Sequence, residues 1–447
     1  MAAAGFPLSR PIASEPELVD YFLAAGKPRD AWQVGIEQEK IGVRDDGRPV
    51  PYDGPAGVAE LLRLLEARGF APAMQDGHVI ALDRGSEQIT VEPGGQIELS
   101  GSPEKTGAAC AAALYRHLAE VQPVARELGI WFIAAGFRPW GALHDVPWLP
   151  KRRYAVMRSY LPAKGRLAHE MMKRTATVQA NLDFETEADA TDKLRTAFAI
   201  TSIVTAMFAA SPIREGQATA YKSYRAAVWL ETDEDRCGIL PFALSPAFAF
   251  ADYVQWALDV PMFFVLRGGD YRPTGGITFR RFLRQGLDGE RATVADWELH
   301  LSTLFPEVRL KRTIEVRGAD AAPLACATAL APFWRGILDD ADARRAAFDL
   351  VASASMDERQ ALRRAVPGQG LTARLAGRPL AAHAVDLCCI AGEGLGRLPD
   401  GNADRALLAP LQAYAEAGRC PADDMLDDFN SAGGDPAQLV RKWEIRV

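Results

Sequence analysis

Residues 35–42 read Gly-Ile-Glu-Gln-Glu-Lys-Ile-Gly, and this stretch decides the fold. Alternate side chains of a β-strand point to opposite faces, so Glu37 and Glu39 share one face. The apolar residues around them, including Val34 and Ile36, are typical of a buried strand. A buried strand with two glutamates on one face predicts a sheet with a polar site on one side.

Three later segments repeat this division between an apolar face and a face of carboxylates and amides. Residues 92–98 read Glu-Pro-Gly-Gly-Gln-Ile-Glu, so two glutamates flank a tight turn. Residues 177–182 read Thr-Val-Gln-Ala-Asn-Leu, and residues 311–317 read Lys-Arg-Thr-Ile-Glu-Val-Arg. In residues 177–182 the polar side chains on one face are those of Thr177, Gln179 and Asn181. In residues 311–317 they are those of Thr313, Glu315 and Arg317. Solvated faces of antiparallel sheets are common, but they usually carry threonine and lysine, so the four segments together favour a functional site.

Strand and helix signals alternate irregularly along the chain. Hairpins are separated by helices without a steady βαβ repeat, which predicts an α+β fold with an antiparallel sheet. The predicted strands are Trp32–Val43, Val79–Glu92 (a hairpin), Gln96–Ser100, Ile130–Phe137, Thr177–Phe184, Val260–Leu266 and Val308–Arg317. From about residue 325 the pattern is helical, and the glycines of Gly392–Arg397 predict a loop there.

The glutamates on the predicted polar faces point to cation chemistry. Five of them, Glu37, Glu39, Glu92, Glu98 and Glu315, would lie close together. Like charges raise one another's pKa unless cations neutralise them. Carboxylate oxygens suit hard cations, and Mg²⁺ carrying nucleotide phosphates fits best. The sequence contains no HExxH motif, so a zinc-peptidase site is not predicted.

Phosphate chemistry also requires positive charge. Arg309, Lys311, Arg312 and Arg317 lie on or beside the strand that carries Glu315. The sequence contains no GxxxxGK[ST] motif, which excludes a P-loop protein. The residues alone therefore predict a metal-dependent, ATP-using enzyme whose site is the polar face of an antiparallel sheet, and they leave the substrate open.

Composition bears on partners and location. Of 447 residues, 48% are hydrophobic and 24% are charged, as in ordinary globular proteins. The net charge of −7 disfavours binding to nucleic-acid phosphates, and the longest uncharged stretch, residues 196–213, is too interrupted to span a membrane. Six cysteines without a CxxC pair indicate a reducing compartment, and residues 1–13 predict no secretory leader. We therefore expect a soluble, cytoplasmic protein with no nucleic-acid or membrane partner.

Nine blocks of sequence, in order, resemble the plant-type and proteobacterial glutamate–cysteine ligases. The blocks that carry the polar strands are GIEQEKIG (35–42), EPGGQIELSG (92–101), TATVQANLDF (175–184) and FPEVRLKRTIEVRGAD (305–320). The other blocks are PKRRYAVMRSYLP (150–162), AASPIREG (209–216), TDEDRCGILPF (232–242), LDVPMFF (258–264) and DWELHLSTL (296–304). The resemblance covers roughly Trp32 to Trp334, far more than one short motif.

This resemblance implies a fold and a reaction. The fold would be like that of glutamine synthetase and the guanido kinases, with a curved antiparallel sheet that forms a funnel and with helices around it. Residues 1–324 would form the ATP-dependent ligase domain, and residues 325–447 a helical region packed on it. ATP would phosphorylate the γ-carboxylate of L-glutamate, and the amine of L-cysteine would attack the acyl phosphate. The product would be γ-glutamylcysteine, formed in the first step of glutathione biosynthesis.

The resemblance also implies roles for individual residues. The expected Mg²⁺ ligands are Glu37, Glu39, Glu92, Glu98 and Glu315. The residues expected at ATP are Gln179, Lys311, Arg312 and Arg317, and those expected to bind the substrates are Arg153, Asn181 and Arg225. The expected catalytic residues are Arg153, Glu315 and Arg317, with Arg317 facing the transferring phosphate. The expected partners are the small molecules ATP, L-glutamate and L-cysteine, bound by a monomer or a homodimer.

Alternative functions keep part of this chemistry. A γ-glutamyl ligase with another amine acceptor would carry the same carboxylates and differ only in its acceptor pocket. A silent nucleotide or amino-acid binding module is disfavoured, because it would be free to lose some of these mutually repelling carboxylates. A guanidino kinase on the same fold needs a reactive cysteine near the site, and none of the six cysteines lies in the carboxylate or arginine blocks.

Overall fold

A large antiparallel sheet runs through the protein. The structure is a computed structural model and describes residues 7–447. Residues 1–6, part of the segment in which no leader is predicted, lie outside the described residues. The strands of the described part are β1 (Val34–Val43), β2 (Ala71–Gln75), β3 (His78–Arg84), β4 (Glu87–Val91), β5 (Ile97–Ser100), β6 (Trp131–Ile133), β7 (Val178–Leu182), β8 (Ile213–Arg214), β9 (Gln217–Ala218), β10 (Cys237–Gly238), β11 (Phe264–Arg267), β12 (Asp270–Pro273), β13 (Phe305–Pro306), β14 (Val308–Leu310), β15 (Ile314–Val316), β16 (Arg374–Leu375) and β17 (Arg378–Pro379).

Helices occupy much of the remaining chain. They are α1 (Pro16–Leu23), α2 (Val58–Glu66), α3 (Gly107–Glu127), α4 (Arg152–Tyr160), α5 (Ala168–Arg174), α6 (Glu187–Met207), α7 (Tyr224–Trp229), α8 (Phe250–Asp259), α9 (Phe279–Gln285), α10 (Val294–Leu301), α11 (Leu324–Leu338), α12 (Ala341–Asp349), α13 (Met356–Gln369), α14 (Leu380–Arg397), α15 (Gly401–Ala406), α16 (Ala409–Ala417), α17 (Pro421–Ser431) and α18 (Pro436–Trp443). In residues 7–447 no helix is long and apolar enough to cross a membrane.

Nine strands of the described chain form the main sheet. Its order is β14, β15, β7, β1, β5, β4, β3 and β2, and β6 pairs with the C-terminal end of β1. Every pairing in this sheet is antiparallel. The predicted α+β class with an antiparallel sheet is therefore confirmed.

The two faces of the main sheet have different neighbours. Helix α11 packs against β7 and α3, and α3 packs against β1. Val178, Ala180 and Leu182 of β7 are fully buried in the core, together with Val34 and Ile36 of β1. The opposite face, with the polar residues, meets a cavity that side chains of α4, α5 and α7 also line. The alternation along each strand thus separates the hydrophobic core from the cavity.

The segment predicted as one strand, Val308–Arg317, is a hairpin. Strand β14 ends at Leu310, β15 begins at Ile314, and residues 311–313 form the turn. Arg309 therefore lies opposite Glu315 across the hairpin. The single-strand prediction is wrong because neither glycine nor proline marks this turn in the sequence.

The loop predicted at Gly392–Arg397 is also wrong, because these residues end helix α14. Gly394 crosses α11 so closely that a Cβ atom there would lie 2.0 Å from the carbonyl oxygen of Gly336. The glycine allows the two helix backbones to approach, so it serves packing and not a turn. Apart from the short β16–β17 hairpin, the helical pattern predicted from about residue 325 is otherwise confirmed. One hydrophobic cluster includes residues on both sides of that point.

His300 of α10 is a buried, neutral histidine in this core. Its ring stacks on Phe279 with centroids 5.2 Å apart, and its Nε2–H donates to the carbonyl oxygen of Ala257 at 2.7 Å. Burial lowers the pKa of His300 to about 3. The unfolded chain binds this proton more tightly than the folded one. The stability contributed by neutral His300 is therefore present above pH 6.5, its ordinary pKa, and is lost as the pH falls towards 3.

We expect the melting temperature of a His300→Gln variant to depend less on pH than that of the wild type between about pH 7 and pH 5. Glutamine keeps a donor for Ala257 and cannot take up a proton in this range. Scanning calorimetry of both proteins across the range measures the two slopes. Equal slopes would contradict the assignment of a buried neutral imidazole at His300.

Candidate active site

Strand register brings the predicted polar residues together on one face of the main sheet. Glu37 of β1 lies opposite Gln179 of β7. Asn181 of β7 lies opposite Glu315 of β15, and Glu315 lies opposite Arg309 of β14. Strands β1 and β7 and the β14–β15 hairpin, three segments distant in sequence, therefore contribute to one continuous polar surface.

Four carboxylates, Glu37, Glu39, Glu92 and Glu98, line one cavity and are called here the carboxylate wall. Glu39 and Glu98 are directly opposite each other on β1 and β5, and Glu92 follows the end of β4. The cavity has a volume of about 260 Å³. Its lining also includes Arg153, Tyr154, Gln179, Trp229, Phe305, Arg309 and Arg317.

The carboxylate wall carries more negative charge than its surroundings neutralise. Burial, and then the charge of Glu92, raise the pKa of Glu39 to about 8. The same causes raise the pKa of Glu98 well above its ordinary value. The Thr177 backbone N–H donates to Glu39 at 3.0 Å, and the Thr90 hydroxyl donates to Glu98 at 2.8 Å. These single neutral donors do not offset the repulsion, so the wall is suited to a cation.

The donor chemistry of the carboxylate wall fits Mg²⁺. The wall offers carboxylate oxygens, the ligands that this ion prefers, without a nitrogen or sulfur ligand. In residues 7–447 no three acidic, histidine or cysteine side chains are placed to form a ready-made metal cage. Magnesium is commonly held by one or two carboxylates together with phosphate oxygens and water, so a complete protein cage is not required.

Glu315 lies among cations, in a group we call the Glu315 cluster. Arg309 donates to its carboxylate at 2.7 Å, Lys311 Nζ lies 2.9 Å away, and Arg317 also donates to it. Burial opposes the ionisation of Glu315, but these three charges together outweigh it and hold its pKa well below the ordinary value. Glu315 is therefore already neutralised by side chains, and its role as an Mg²⁺ ligand stays a prediction.

Arg317 is a member of the Glu315 cluster that lines the cavity and is held in place there. It donates to Gln179 Oε1 at 2.7 Å, and Arg225 donates to its backbone carbonyl oxygen at 3.0 Å. Burial acts to lower the pKa of Arg317, but the charge of Glu315 raises it above its ordinary value. The guanidinium is thus charged and oriented in the cavity that holds the carboxylate wall.

The two arginines predicted to bind substrate differ in how far they are already engaged. Arg153 lines the cavity, its guanidinium lies 5.9 Å from the ring centroid of Phe264, and its buried Nε has no hydrogen-bond partner among the described residues. Arg225 bonds to the backbone of Arg317, and its NH1 lies 3.8 Å from Asp320. Arg153 therefore has the freer donor, whereas Arg225 supports Arg317.

The remaining predicted residues lie around the cavity and do not line it. Asn181 Nδ2 donates to Glu37 Oε1 at 2.8 Å, and its Oδ1 accepts from Thr313 at 3.2 Å. Lys311 belongs to the Glu315 cluster. Arg312, in the same turn, is outside the set of cavity-lining residues. Asn181 is thus placed to orient one carboxylate of the wall.

Tyr154 and Trp229 are among the cavity-lining residues that sequence reasoning missed. The Tyr154 hydroxyl donates to Glu92 at 3.2 Å. Trp229 lines the cavity, and its buried Nε1–H has no partner among the described residues. Trp229 follows Arg225 by four positions in helix α7, a spacing that puts both side chains on one face. That spacing, and the position of Tyr154 next to Arg153, are the signals that could have identified them.

The fold is similar to that of a solved ligase. The crystal structure of glutamate–cysteine ligase from Francisella tularensis in complex with AMP aligns with a TM-score of 0.58. The alignment covers 92% of this chain and 88% of that chain at 14% sequence identity. At this identity the likeness concerns the fold, and it confirms the ligase fold that the sequence blocks imply.

Curated plant proteins are similar in sequence over nearly the whole chain. The chloroplastic glutamate–cysteine ligase of Brassica juncea is 41% identical over 438 residues, which cover 96% of this chain and 84% of the relative. The chloroplastic glutamate–cysteine ligase of Arabidopsis thaliana is 41% identical over 438 residues, covering 96% and 83%. The corresponding protein of Nicotiana tabacum is 40% identical over 432 residues, covering 95% and 82%.

The expected cytoplasmic location is wrong on this comparison, because these relatives are chloroplastic proteins. That expectation depended on cysteine usage, which indicates reducing surroundings, and on residues 1–13, in which no secretory leader is predicted. Cysteine usage does not specify which compartment provides a reducing environment, so it could not support the cytoplasm over another such compartment.

One family model describes almost the entire chain. The model of glutamate-cysteine ligase family 2 (GCS2) matches residues 33–442. The match includes the carboxylate wall and the Glu315 cluster, and it extends past Trp334 through most of the C-terminal helices. The resemblance found in nine sequence blocks is thereby confirmed. The chain belongs to glutamate–cysteine ligase family 2.

Proposed function

We propose that this protein ligates the γ-carboxylate of L-glutamate to the amine of L-cysteine in an ATP- and Mg²⁺-dependent reaction. The products are γ-glutamylcysteine, ADP and phosphate, and the reaction is the first step of glutathione biosynthesis. The observation that carries the proposal is one cavity lined by both the carboxylate wall and Arg317. Phosphoryl transfer needs ligands for the cation that accompanies ATP and fixed positive charge for the transferred group. The glutamate–cysteine ligases among the relatives support the choice of substrates.

The proposed reaction proceeds through an acyl phosphate. A γ-carboxylate oxygen of glutamate attacks the γ-phosphorus of ATP, and the bond from this phosphorus to the β–γ bridging oxygen breaks to release ADP. The amine of cysteine then attacks the acyl carbon, loses a proton and expels phosphate. Such transfers need little covalent help from a protein, so its residues act by positioning and by neutralising charge.

Arg317 is the residue best placed to meet the transferring phosphoryl group. The bonds to Glu315 and Gln179 orient its guanidinium before any substrate binds. The three cations of the Glu315 cluster outnumber its single carboxylate, so the cluster retains positive charge for an anion. Preorganised charge of this kind stabilises the transition state without reorganisation during the reaction.

The carboxylate wall would hold the magnesium. Bound there, Mg²⁺ would neutralise phosphate charge and polarise the transferring group. Tyr154 orients Glu92, Thr90 orients Glu98 and Asn181 orients Glu37 through the hydrogen bonds described above. Arg153, which lines the cavity and has an unpartnered Nε, is available for a substrate carboxylate.

The domain arrangement is part of the same proposal. Residues 1–324 would supply the carboxylate wall and the Glu315 cluster as the catalytic domain. Residues 325–447 would form the helical region packed on it, consistent with the packing of α11 against α3 and β7. The enzyme would act on small molecules as a monomer or a homodimer.

One incubation with ATP, Mg²⁺ and L-glutamate tests the proposal. Portions receive L-cysteine, other amino acids or no acceptor, and ADP release and product mass are followed together. We expect ADP release to require cysteine and the product to have the mass of γ-glutamylcysteine. ADP release without preference for cysteine would indicate a different acceptor, and absence of ADP in every portion would contradict ligase activity. A parallel portion with EDTA is expected to release no ADP.

A further inference from the structure

A narrow side cleft lies beside the main cavity. Trp229, Phe305 and Arg317 line both spaces and separate them. The cleft has a volume of about 30 Å³, against about 260 Å³ for the main cavity. One buried water needs a cavity of roughly 10–15 Å³, so the cleft can take a group of a few atoms and not a nucleotide. The polar residues of its lining are Ser202, Thr205, Arg225, Glu307, Arg317 and Arg363.

Arg363 reaches this cleft from the C-terminal helical region, on α13. Its Nε donates to Glu307 Oε1 at 2.9 Å, while its two terminal nitrogens form no hydrogen bond with any described residue. Gly238, with φ of +103°, lets the guanidinium lie against the backbone, since a Cβ there would be 3.2 Å from Arg363 Cζ. The side chain is thus oriented through one nitrogen and has two donors left for a ligand.

Trp229, which lines the cleft, has a second unused donor, its buried Nε1–H. Arg225 and Arg317 add positive charge on the same lining. Glu307 is the one acidic residue among the described lining residues, and it is paired with Arg363. A small planar anion that accepts several hydrogen bonds matches these donors, and a carboxylate has this form.

We propose that the side cleft binds the α-carboxylate of an amino-acid substrate through Arg363, with Trp229 Nε1 as a further donor. The inference rests on the proposed ligase function, in which donor and acceptor both carry an α-carboxylate while their reacting groups lie in the main cavity. Either L-glutamate or L-cysteine can supply this group. The C-terminal helical region then takes part in substrate binding and not only in packing.

The test compares the wild type with Arg363→Gln and Arg363→Lys, using Arg364→Gln on the exposed side of α13 as the matched control. We expect the KM for one amino acid to rise about tenfold to a hundredfold in Arg363→Gln, with KM for ATP unchanged and kcat within a few-fold. Arg363→Lys keeps the charge and is expected to show a smaller rise. The control variant is expected to match the wild type.

Analogues without the α-carboxylate identify which substrate occupies the cleft. If the cleft binds the α-carboxylate of L-cysteine, kcat/KM for cysteamine is the same in the wild type and in Arg363→Gln. If the cleft binds the α-carboxylate of L-glutamate, kcat/KM for 4-aminobutyrate is the same in both proteins. Unchanged KM for both amino acids, or equal losses with the analogues, would overturn the proposal.

Direct binding separates this proposal from the ligase function itself. Titration calorimetry of L-glutamate and L-cysteine into the wild type and Arg363→Gln requires no turnover. A weaker Kd for one of them in the variant supports the cleft even if the incubation above finds a different reaction. Unchanged Kd values for both overturn it. Melting temperatures establish that the variants are folded.

Discussion

We expect an Arg317→Gln variant to keep its fold and to lose about a thousandfold in kcat for ligation. Arg317 is buried, charged and held by Glu315 and Gln179, so its guanidinium is a preformed positive charge at the cavity. Glutamine keeps a polar side chain but supplies no charge to the transferring phosphoryl group. Initial rates of ADP release at saturating ATP, glutamate and cysteine measure the effect.

Two further variants make the Arg317 result interpretable. Arg317→Lys restores the charge without the paired donors of a guanidinium and is expected to recover part of kcat. Arg345→Gln removes an arginine whose side chain is 72% exposed on α12 and is expected to behave as the wild type. A loss of less than tenfold in a folded Arg317→Gln protein would place the phosphoryl group elsewhere.

The second large effect concerns Glu39 of the carboxylate wall. We expect Glu39→Gln to lower Mg²⁺-dependent activity by about a hundredfold or more, because one proposed ligand is lost. We also expect the variant to melt at a higher temperature than the wild type in EDTA. Burial and the charge of Glu92 raise the pKa of Glu39 to about 8. In the metal-free protein, Glu39 therefore lowers the free energy of unfolding at neutral pH.

The destabilisation of the metal-free protein by Glu39 increases with pH. A folded-state pKa above the ordinary value of 4.5 means that stability from Glu39 is complete below pH 4.5 and is lost as the pH rises to about 8. Thermal melts in EDTA at several pH values test this, with Glu127→Gln at the exposed end of α3 as the control. Added Mg²⁺ should raise the melting temperature of the wild type more than that of Glu39→Gln. A lower melting temperature of the variant in EDTA would refute the assignment.

Much of the fold follows from local patterns. The alternation in residues 35–42 and 177–182 correctly identified β1 and β7 and the face that each presents to the core. The glycines of Gly392–Arg397 misled the prediction, because the contact of Gly394 with Gly336 joins segments far apart in the chain. A glycine required for close helix packing and a glycine required for a turn are identical in sequence.

The sequence predicted which glutamates belong to the candidate site, but it did not predict that Glu315 is separated from the other four. Residues with similar sequence patterns, such as Glu98 and Glu315, have opposite electrostatic environments in the fold. Glu315 is neutralised by cations that the unmarked hairpin turn brings next to it, whereas Glu98 faces other carboxylates. The charge state of a buried group depends on all its spatial neighbours. The cations around Glu315 lie within six residues of it, whereas Glu37 and Glu39, which raise the pKa of Glu98, belong to a strand distant in sequence.

The sequence by itself determined the α+β class, the polar face of the sheet and the family, because strand alternation and contiguous motifs are local properties of the chain. Only the tertiary structure decided which carboxylates remain uncompensated, which arginine is oriented at the cavity, and that Arg363 of the C-terminal helices lies beside Trp229 at a side cleft. These are outcomes of register, burial and long-range packing, and such contacts form only when the folded chain brings distant residues together.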